Sequence, residues 1–333
     1  MKAVLASFAL IAATAFAQDR CDAPYPNVFC NTTEVLAYET SDCRPFHVFV
    51  TRGSDEPYPG RLGNLTKEIC SSIGGTQECG FESVQYPAKS TAWGVDEWCK
   101  SAGTGAANGQ SQVKAYAEKC PDAKLILLGF SQGAAVTQDI LGGGGGHVFE
   151  CDQAENPALD ASTAPGKNIV AAITFGAVVR SHNQSYTIGA GKPYDGRRAR
   201  TPSQLAALHT YADVLLDYCH YGDPMCAVGS EPADVYAHLD YFYQHNEDVV
   251  GYVAGVAKAA NGSASARPAR PSPVTAGSAG APGSQSVSGV PSSTAASSTA
   301  GGNAQTGGAE SLAVNCGVFV VLAGLAGLVM AVL

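Results

Sequence analysis

The segment from residue 124 to residue 141 restricts the possible fold more than any other part of this chain. It reads KLILLGFSQGAAVTQDIL: a short apolar run, a serine between two glycines, and then small and apolar residues at helical spacing. Residues 124–129 predict a buried strand, and residues 131–141 predict a helix. A chain that turns from strand to helix so sharply brings neighbouring backbone close together, so glycine is needed on both sides of the bend. Ser131 is then exposed on the turn at the carboxyl end of the strand.

Further apolar segments predict that strands and helices alternate between about residue 40 and residue 260. The predicted strands are residues 46–52, 81–87, 124–129, 169–176 and 206–213, and the predicted helices are NLTKEICSSI, GQSQVKAYAEKC, SQGAAVTQDIL and EDVVGYVAGVAKAA. The third and fourth strands are apolar almost throughout, which indicates burial on both faces, as in a parallel sheet. Right-handed crossovers then give an α/β fold, a three-layer α/β/α sandwich with a five-stranded parallel sheet.

Two segments do not follow this alternation. Residues 142–146 are five consecutive glycines, and residues 181–203 show no clear period. A glycine-rich phosphate loop begins a helix and carries a lysine followed by serine or threonine, whereas this run ends a helix and has no such pair. It therefore predicts a flexible helix exit.

A serine at a strand-to-helix bend is the arrangement of a catalytic nucleophile. Its hydroxyl lies near a helix amino terminus, where the helix dipole favours developing negative charge. Because an unperturbed serine hydroxyl is a weak nucleophile, a histidine must accept its proton and a carboxylate must orient that histidine. The expected chain order is serine, acid, histidine. The alternative is that Ser131 only caps the helix.

The stretch DYCHYGDPMCAVGSEPADVYAHLDY supplies the acid and the base. Cys219 and Cys226 are close enough to form a small disulfide loop, and Asp223 lies inside it. A stapled loop is a means of fixing a carboxylate beside an imidazole. His238 stands just ahead of the final helix and can fold back over the sheet edge, so we assign Asp223 as orienting acid and His238 as general base. The alternatives are Asp213 or Asp217 as the acid, His245 as the base, or ordinary surface roles for the assigned pair.

The oxyanion of a tetrahedral intermediate also needs hydrogen-bond donors. The backbone N–H of Gln132, directly after the nucleophile, is one candidate. The loop after the first strand, Arg-Gly-Ser at residues 52–54, supplies the other candidate, Ser54, which has both an N–H and a hydroxyl. The alternative for Ser54 is an ordinary turn serine.

Both ends of the chain differ from a globular domain. Residues 1–17 carry one lysine, an apolar stretch and an Ala-Phe-Ala end, the layout of a cleaved secretory signal, which leaves residues 18–260 as the predicted domain. Residues 261–311 are mostly Ser, Ala, Gly, Thr and Pro, and this composition predicts a disordered stalk. Small residues at 301–304, a polar spacer and the apolar residues 312–333 have the layout of a glycosylphosphatidylinositol (GPI) attachment signal, with a retained membrane helix as the alternative. We therefore expect a secreted protein on the outer cell surface or cell wall, in contact with membrane only through this anchor.

Cysteines and glycosylation sequons fit export. Of 11 cysteines, Cys316 lies in the predicted attachment signal, and the even set that remains indicates disulfides: Cys21, Cys30, Cys43, Cys70, Cys79, Cys99, Cys120, Cys151, Cys219 and Cys226. No Cys-x-x-Cys pair accompanies them, so we expect no metal site. Four Asn-x-Ser/Thr sequons predict glycosylation at Asn31, Asn64, Asn183 and Asn261. The formal net charge of −9 argues against nucleic acid as a partner.

Three separated motifs resemble one known family. They are the Arg-Gly-Ser after the first strand, Lys-Cys-Pro-Asp-Ala leading to Gly-Phe-Ser-Gln-Gly-Ala, and Cys-x3-Asp-x2-Cys followed by a histidine. In this order they resemble fungal cutinases and the related acetylxylan esterases over residues 40–258. The resemblance implies a cutinase-like α/β-hydrolase fold, a solvent-exposed site without a lid, and no cofactor. It implies Ser131, Asp223 and His238 as catalytic residues and Ser54 and Gln132 as oxyanion donors, with disulfides Cys43–Cys120, Cys70–Cys79 and Cys219–Cys226.

We therefore expect a monomeric serine esterase that hydrolyses carboxylic esters, of a cutin-like polyester or of short acyl groups, through an acyl-enzyme. The first alternative is an acetylxylan esterase that removes acetyl groups from xylan. The second is a catalytically inactive glycoprotein anchored to the cell wall. The pairing of Cys21, Cys30, Cys99 and Cys151 is left open by the sequence.

Overall fold

The computed structural model describes residues 32–271. The strands are β1 (Phe46–Thr51), β2 (Cys79–Ser83), β3 (Lys124–Phe130), β4 (Gly144–Val148), β5 (Cys151–Asn156), β6 (Ile169–Phe175), β7 (Thr187–Ile188) and β8 (Leu215–Tyr218). The α-helices are α1 (Thr33–Leu36), α2 (Leu62–Ile73), α3 (Val95–Lys119), α4 (Gln132–Gly142), α5 (Pro202–His209), α6 (Val235–Leu239) and α7 (Tyr241–Ala260).

The main sheet is parallel throughout and has the strand order β2-β1-β3-β6-β8-β7. Strand β3, which precedes Ser131, lies in its interior between β1 and β6. The parallel α/β prediction is therefore confirmed, although the sheet has six strands and not five. The sixth is the two-residue strand β7, which comes from the segment without a clear period and is too short to give a pattern in the sequence.

Apolar side chains cover both faces of the sheet, so the molecule has the three expected layers. Residues alternate between the two faces along β1 and β3, as the pleat requires. The first core includes Phe49, Leu125 and Leu127 from the sheet and Trp98, Val113, Val136 and Ile140 from α3 and α4. The second core includes Val48, Val50, Ile126 and Leu128 from the sheet and Leu65, Ile69, Val249 and Val253 from α2 and α7.

The predicted strand at residues 206–213 is wrong. Helix α5 takes up residues 202–209, and the strand is the following LLDY of β8. The Thr201 side chain accepts a hydrogen bond from the Gln204 N–H, the Gln204 side chain bonds back to the Thr201 backbone, and Pro202 opens the helix. This capping box and the amino-terminal proline stabilise a helix that the apolar pattern does not show.

The glycine run leaves a helix as predicted, since Gly142 ends α4 and Gly143 caps it, but the next three glycines begin a strand, so the expectation of a flexible exit is wrong. Strand β4 pairs antiparallel with β5 in a separate hairpin. A Cβ at Gly144 would overlap the side chain of Asp139, and one at Gly145 would overlap the Cα of Glu155. Glycine is required here because the hairpin packs closely on its neighbours.

Four disulfides form among the described residues. They are Cys43–Cys120, Cys70–Cys79, Cys99–Cys151 and Cys219–Cys226. The bond between Cys99 and Cys151 ties the β4–β5 hairpin to α3, and it gives a pairing that the sequence left open. Cys21, Cys30 and Cys316 lie outside the described residues.

Three of the four predicted sequons lie in the described part of the chain. Asn183 and Asn261 are exposed, whereas Asn64 is half-buried in α2, where its side-chain amide donates to Glu68 Oε1. Asn31 lies outside this part.

The predicted signal at residues 1–17 and the predicted GPI signal at residues 312–333 lie outside the described residues, as does most of the predicted stalk. The stalk's first residues, 261–271, are described and contact the domain. The Arg267 guanidinium donates to Val170 O and to Tyr252 Oη. Within residues 32–271 no helix is long and apolar enough to cross a membrane.

Candidate active site

Ser131 occupies a strained turn between β3 and α4. Its backbone has φ 56° and ψ −119°, a conformation that costs a residue with a side chain about 1–3 kcal/mol. A Cβ at Gly133 would overlap the carbonyl oxygens of Thr51 and Arg52, and one at Gly129 would lie 2.8 Å from the Cα of Ala134. The two glycines are thus required by close approach of backbone.

The structure brings the three predicted catalytic side chains together at the carboxyl edge of the sheet. His238 Nε2 lies 3.0 Å from Ser131 Oγ. On the other side of the ring, His238 Nδ1 lies 2.9 Å from Asp223 Oδ2 and 3.0 Å from Asp223 Oδ1. An ionised carboxylate has no proton to donate, so the proton of this contact belongs to Nδ1 and Nε2 is left to accept from the serine hydroxyl.

Asp223 is buried, and every one of its contacts favours the ionised form. The backbone N–H groups of Met225 and Cys226 donate to Oδ1 at 2.7 and 3.2 Å, and the Tyr241 hydroxyl donates to Oδ2 at 2.6 Å. Burial alone would raise the pKa of this carboxyl group, but His238 and these hydrogen bonds outweigh burial and hold the pKa below its usual value. The carboxylate is therefore fixed in position and charged.

Three of these contacts were not expected from the sequence. The N–H donors of Met225 and Cys226 follow from the tight disulfide loop, which turns the backbone around the carboxylate. Tyr241 begins α7 three residues after His238, and its hydroxyl also accepts from the His220 N–H. The sequence gives no signal for Tyr241, because His238 and Tyr241 lie on two separate helices and the three-residue spacing rule holds only within one helix.

Of the predicted oxyanion donors, Gln132 directly follows Ser131, and Ser54 follows Gly53, which packs against the Phe130 ring. Ser54 is 4 % exposed, and its buried hydroxyl has no hydrogen-bond partner among the described residues. Its loop is held by Glu56, which accepts from the Gly53 N–H and forms an ion pair with Arg61. Gln132 is the first residue of α4, where a backbone N–H has no partner within the helix.

The three side chains are more enclosed than the resemblance implied. Ser131 is 3 % exposed, and Asp223 and His238 are fully buried. The Phe130 ring packs 5.1 Å from the His238 ring, and the backbone at Gly176 comes so close that a Cβ there would lie 2.8 Å from that ring. The expectation of a solvent-exposed site is therefore wrong for these side chains, because the residues at the ends of β3 and β6 cover the imidazole.

The alternative acids and base lie elsewhere. Asp217 is buried in β8, where it accepts from Gln138, Thr174 and Arg180. Asp213 is exposed before the same strand. His245 Nε2 lies 2.7 Å from His220 Nε2, and among the described residues it has no hydrogen bond to Ser131. Residues 32–271 also contain no group of three or more His, Cys, Asp or Glu side chains that could hold a metal ion.

Comparison with known proteins identifies the family of this chain. A sequence model described as cutinase matches residues 42–256. The chain belongs to the cutinase family. It is therefore a carboxylic ester hydrolase.

Relatives within the cutinase family carry two kinds of name. Acetylxylan esterase 2 of Talaromyces purpureogenus is 27 % identical over 221 residues, which cover 65 % of this chain and 88 % of the relative. Cutinase 4 of Emericella nidulans is 24 % identical over 225 residues, 66 % of this chain and 75 % of the relative.

A solved structure supports the fold. The catalytic core domain of acetyl xylan esterase from Trichoderma reesei superimposes with a TM-score of 0.53 at 24 % identity. The match covers 64 % of this chain and 98 % of that structure. At this identity the likeness concerns the fold alone.

Proposed function

We propose that this chain is a secreted serine esterase in which Ser131, His238 and Asp223 form the catalytic triad. The observation that carries this proposal is the continuous contact from Ser131 Oγ through the His238 ring to the buried Asp223 carboxylate, at 3.0 and 2.9 Å. These separations lie within the range for proton transfer between a nucleophile and its base.

The geometry supports a two-step reaction. Ser131 Oγ attacks the ester carbonyl carbon while His238 Nε2 takes the hydroxyl proton, and Asp223 stabilises the resulting imidazolium. The carbonyl oxygen becomes an oxyanion that accepts hydrogen bonds from the Gln132 N–H and from Ser54. When the intermediate collapses, the alcohol leaves with the proton from Nε2. Water then attacks the acyl-enzyme by the same route, and the acid and the free serine are released; no step calls for a cofactor.

Two substrate classes fit the family. The broader proposal is a carboxylic ester of a polyester such as cutin, or of a small acyl group. The second is acetylated xylan, which is favoured by the name of the acetylxylan esterase relative. We further propose that the protein acts as a monomer outside the cell, held at the surface or wall by a GPI anchor, with ester substrates and not nucleic acid as partners.

Replacement of the nucleophile tests the proposal. Ser131→Ala should reduce p-nitrophenyl butyrate hydrolysis by several orders of magnitude, because the covalent route is lost while binding and the oxyanion donors remain. Ser111→Ala, on the exposed surface of α3, is the matched control and should retain full activity. Full activity in the Ser131 variant would end the assignment.

A further inference from the structure

Two histidines that take no part in the proposed mechanism contact each other behind the catalytic acid. His220 Nε2 and His245 Nε2 lie 2.7 Å apart, which is a hydrogen-bond distance. His220 directly follows Cys219 at the start of the disulfide loop, and His245 lies in α7. His245 is buried and His220 is half-buried. The two rings therefore join the loop that carries Asp223 to the last helix of the domain.

The other contacts of the two rings fix where their protons lie. His220 Nδ1 lies 2.9 Å from the Ala237 carbonyl oxygen, which can only accept a hydrogen bond, so Nδ1 carries a proton. In the neutral ring His220 Nε2 is then an acceptor, and the proton between the two rings belongs to His245 Nε2. His245 Nδ1 is buried and has no hydrogen-bond partner within residues 32–271. The contact between the two Nε2 atoms therefore holds a single proton.

Tyr241 connects this pair of histidines to the catalytic acid. The His220 ring stacks on the Tyr241 ring with the centroids 4.0 Å apart, and the His220 N–H donates to Tyr241 Oη at 3.0 Å. Because the hydroxyl oxygen accepts from His220, its own proton is directed to Asp223 Oδ2, 2.6 Å away. The position of His220 therefore determines the direction of a hydrogen bond to Asp223.

Other titratable side chains surround the pair on the elements that pack against it. They are Glu68 of α2, Tyr218 of β8, Asp223 of the disulfide loop, Asp240 between α6 and α7, and Tyr241 and Asp248 of α7. Asp240 Oδ1 lies 3.0 Å from His220 Nδ1, so its carboxylate stabilises a positive charge on His220. Glu68 reaches α7 at Asn246, the residue after His245, at 3.5 Å.

The contact between the rings tolerates one added proton but not two. When His220 is charged, its Nε2–H donates to His245 Nε2, and His245 carries its proton on Nδ1 instead. When both rings are charged, both Nε2 atoms carry protons and face each other, so the hydrogen bond is lost and the charges repel. Burial, with a smaller contribution from His220, lowers the pKa of His245 to about 4, so the doubly charged state belongs to pH values below about 4.

Resting on the proposed function, we propose that His220 and His245 are positioning residues for the catalytic acid, and that acid switches off this support by charging both rings. While at most one ring is charged, the pair holds Tyr241 in its hydrogen bond to Asp223. When both rings are charged, His220 separates from His245, and Tyr241 loses the stacking and hydrogen bond that direct its hydroxyl. The hydrolysis rate then falls with acid more steeply than protonation of His238 alone requires.

His245→Ala tests the positioning role, because it removes the hydrogen bond to His220 and leaves Ser131, His238 and Asp223 unchanged. The kcat for p-nitrophenyl butyrate at pH 7, per active site counted by fluorophosphonate titration, should fall about three- to tenfold, the effect of one lost hydrogen bond. The KM should stay within about twofold of the wild-type value, because the histidine pair does not contact the ester in the proposed mechanism.

His245→Gln is the conservative variant that tests the effect of acid. A glutamine amide can donate to or accept from His220 Nε2 but does not titrate, so this variant should restore most of the kcat that His245→Ala loses. Below pH 4, log kcat/KM should fall by about two units per pH unit in the wild-type protein and by about one in His245→Gln. Near-ultraviolet circular dichroism at each pH checks that the domain is folded. His209→Ala, which replaces an exposed histidine at the end of α5, is the control and should keep the wild-type slope.

Nitrogen NMR spectra of the imidazole rings give an independent readout. At pH 8 His220 should be protonated on Nδ1 and His245 on Nε2, and the signals are assigned from the spectrum of His245→Gln. The opposite tautomers would contradict the arrangement of protons on which the proposal depends.

The outcomes separate this proposal from the proposed function. A wild-type kcat in His245→Ala, or an acid limb in His245→Gln as steep as that of the wild-type protein, would overturn the positioning role while hydrolysis that depends on Ser131 stands. The glutamine variant and the NMR spectra test the proposal even where the alanine variant does not fold. Activity that survives Ser131→Ala would instead overturn the function on which the proposal rests.

Discussion

At the scale of single residues, the site depends on a backbone conformation that excludes almost every side chain. Gly133 lies where a Cβ would overlap two carbonyl oxygens from the end of β1 and the loop that follows it, so the serine turn can form only with glycine there. This constraint is local, and for that reason the sequence pattern predicts Ser131 as the residue at the bend. Asp223 also follows from local sequence, because the short cysteine spacing marks its loop.

Other residues of the site could not be predicted because they depend on three-dimensional contacts. The Tyr241 hydroxyl reaches Asp223 only when α6 and α7 meet at their shared end. The cavity lined by Trp98, Phe149 and Met225 needs α3, the β4–β5 hairpin and the disulfide loop at once. No spacing along the chain contains that information.

Tyr241 is a positioning residue for Asp223, and Tyr241→Phe tests this role. Loss of a hydrogen bond to a buried carboxylate costs about 1.5–3 kcal/mol, so kcat/KM should fall roughly tenfold or more. Because the hydroxyl contributes to the lowered pKa of Asp223, its removal raises that pKa and should move the acidic limb of the pH–rate profile to higher pH. Tyr236→Phe, at an exposed position, is the control. A uniform fall in rate without a shifted limb would indicate a merely structural role.

At the scale of elements, apolar periodicity predicts β1, β3, β6 and the flanking helices, because these elements are long and buried. The apolar pattern fails for elements that are very short or that form because of capping or glycine backbone contacts. Helix α5 depends on its capping box, and β4 consists largely of glycine, which carries no hydrophobic pattern. The irregular stretch before α5 yields only a two-residue strand.

The Cys99–Cys151 bond should contribute more to stability than the Cys70–Cys79 bond. Their sequence separations are 52 and 9 residues, and chain entropy predicts a contribution of about 4 kcal/mol for the long loop and about 2.6 kcal/mol for the short one. All four cysteines are buried, so replacement of each pair by alanine removes comparable packing. Urea unfolding of the two double variants measures the difference. An equal or smaller loss from the Cys99–Cys151 pair would contradict this account.

At the scale of the whole molecule, the sheet brings together residues that are far apart in sequence. The segments after β1, β3, β6 and β8 all reach its carboxyl edge, which is where ligands bind in open parallel sheets. The order of the motifs in the sequence is sufficient to predict this meeting. The order of the motifs does not predict how enclosed the site is, because the enclosure depends on how Phe130 and Gly176 pack on the imidazole.

Acid should destabilise the whole domain through a histidine in the core. Burial, with a smaller contribution from Lys119, lowers the pKa of His47 to about 3 from an ordinary value of 6.5. Between these values the unfolded chain binds a proton that the folded state does not, so stability falls as pH falls from about 6.5 to about 3. The loss between pH 7 and pH 5 is about 2 kcal/mol from this residue.

His47→Phe should remove that part of the pH dependence. The ring stacks at 3.7 Å on Tyr116, and neither of its nitrogens has a hydrogen-bond partner within residues 32–271, so phenylalanine fits the same space. Urea unfolding at pH 7 and pH 5 measures the change, with exposed His182→Phe as control. His245, whose pKa burial lowers to about 4, keeps part of the dependence. A variant with the full wild-type slope would show that His47 does not titrate as described.

The most direct measurement of the central claim is covalent labelling with a fluorophosphonate, followed by peptide mass spectrometry. The account predicts one adduct, on Ser131, formed at a rate that falls by orders of magnitude in His238→Ala, because the hydroxyl then has no base. An unlabelled Ser131, or labelling that proceeds equally fast without His238, would contradict the account.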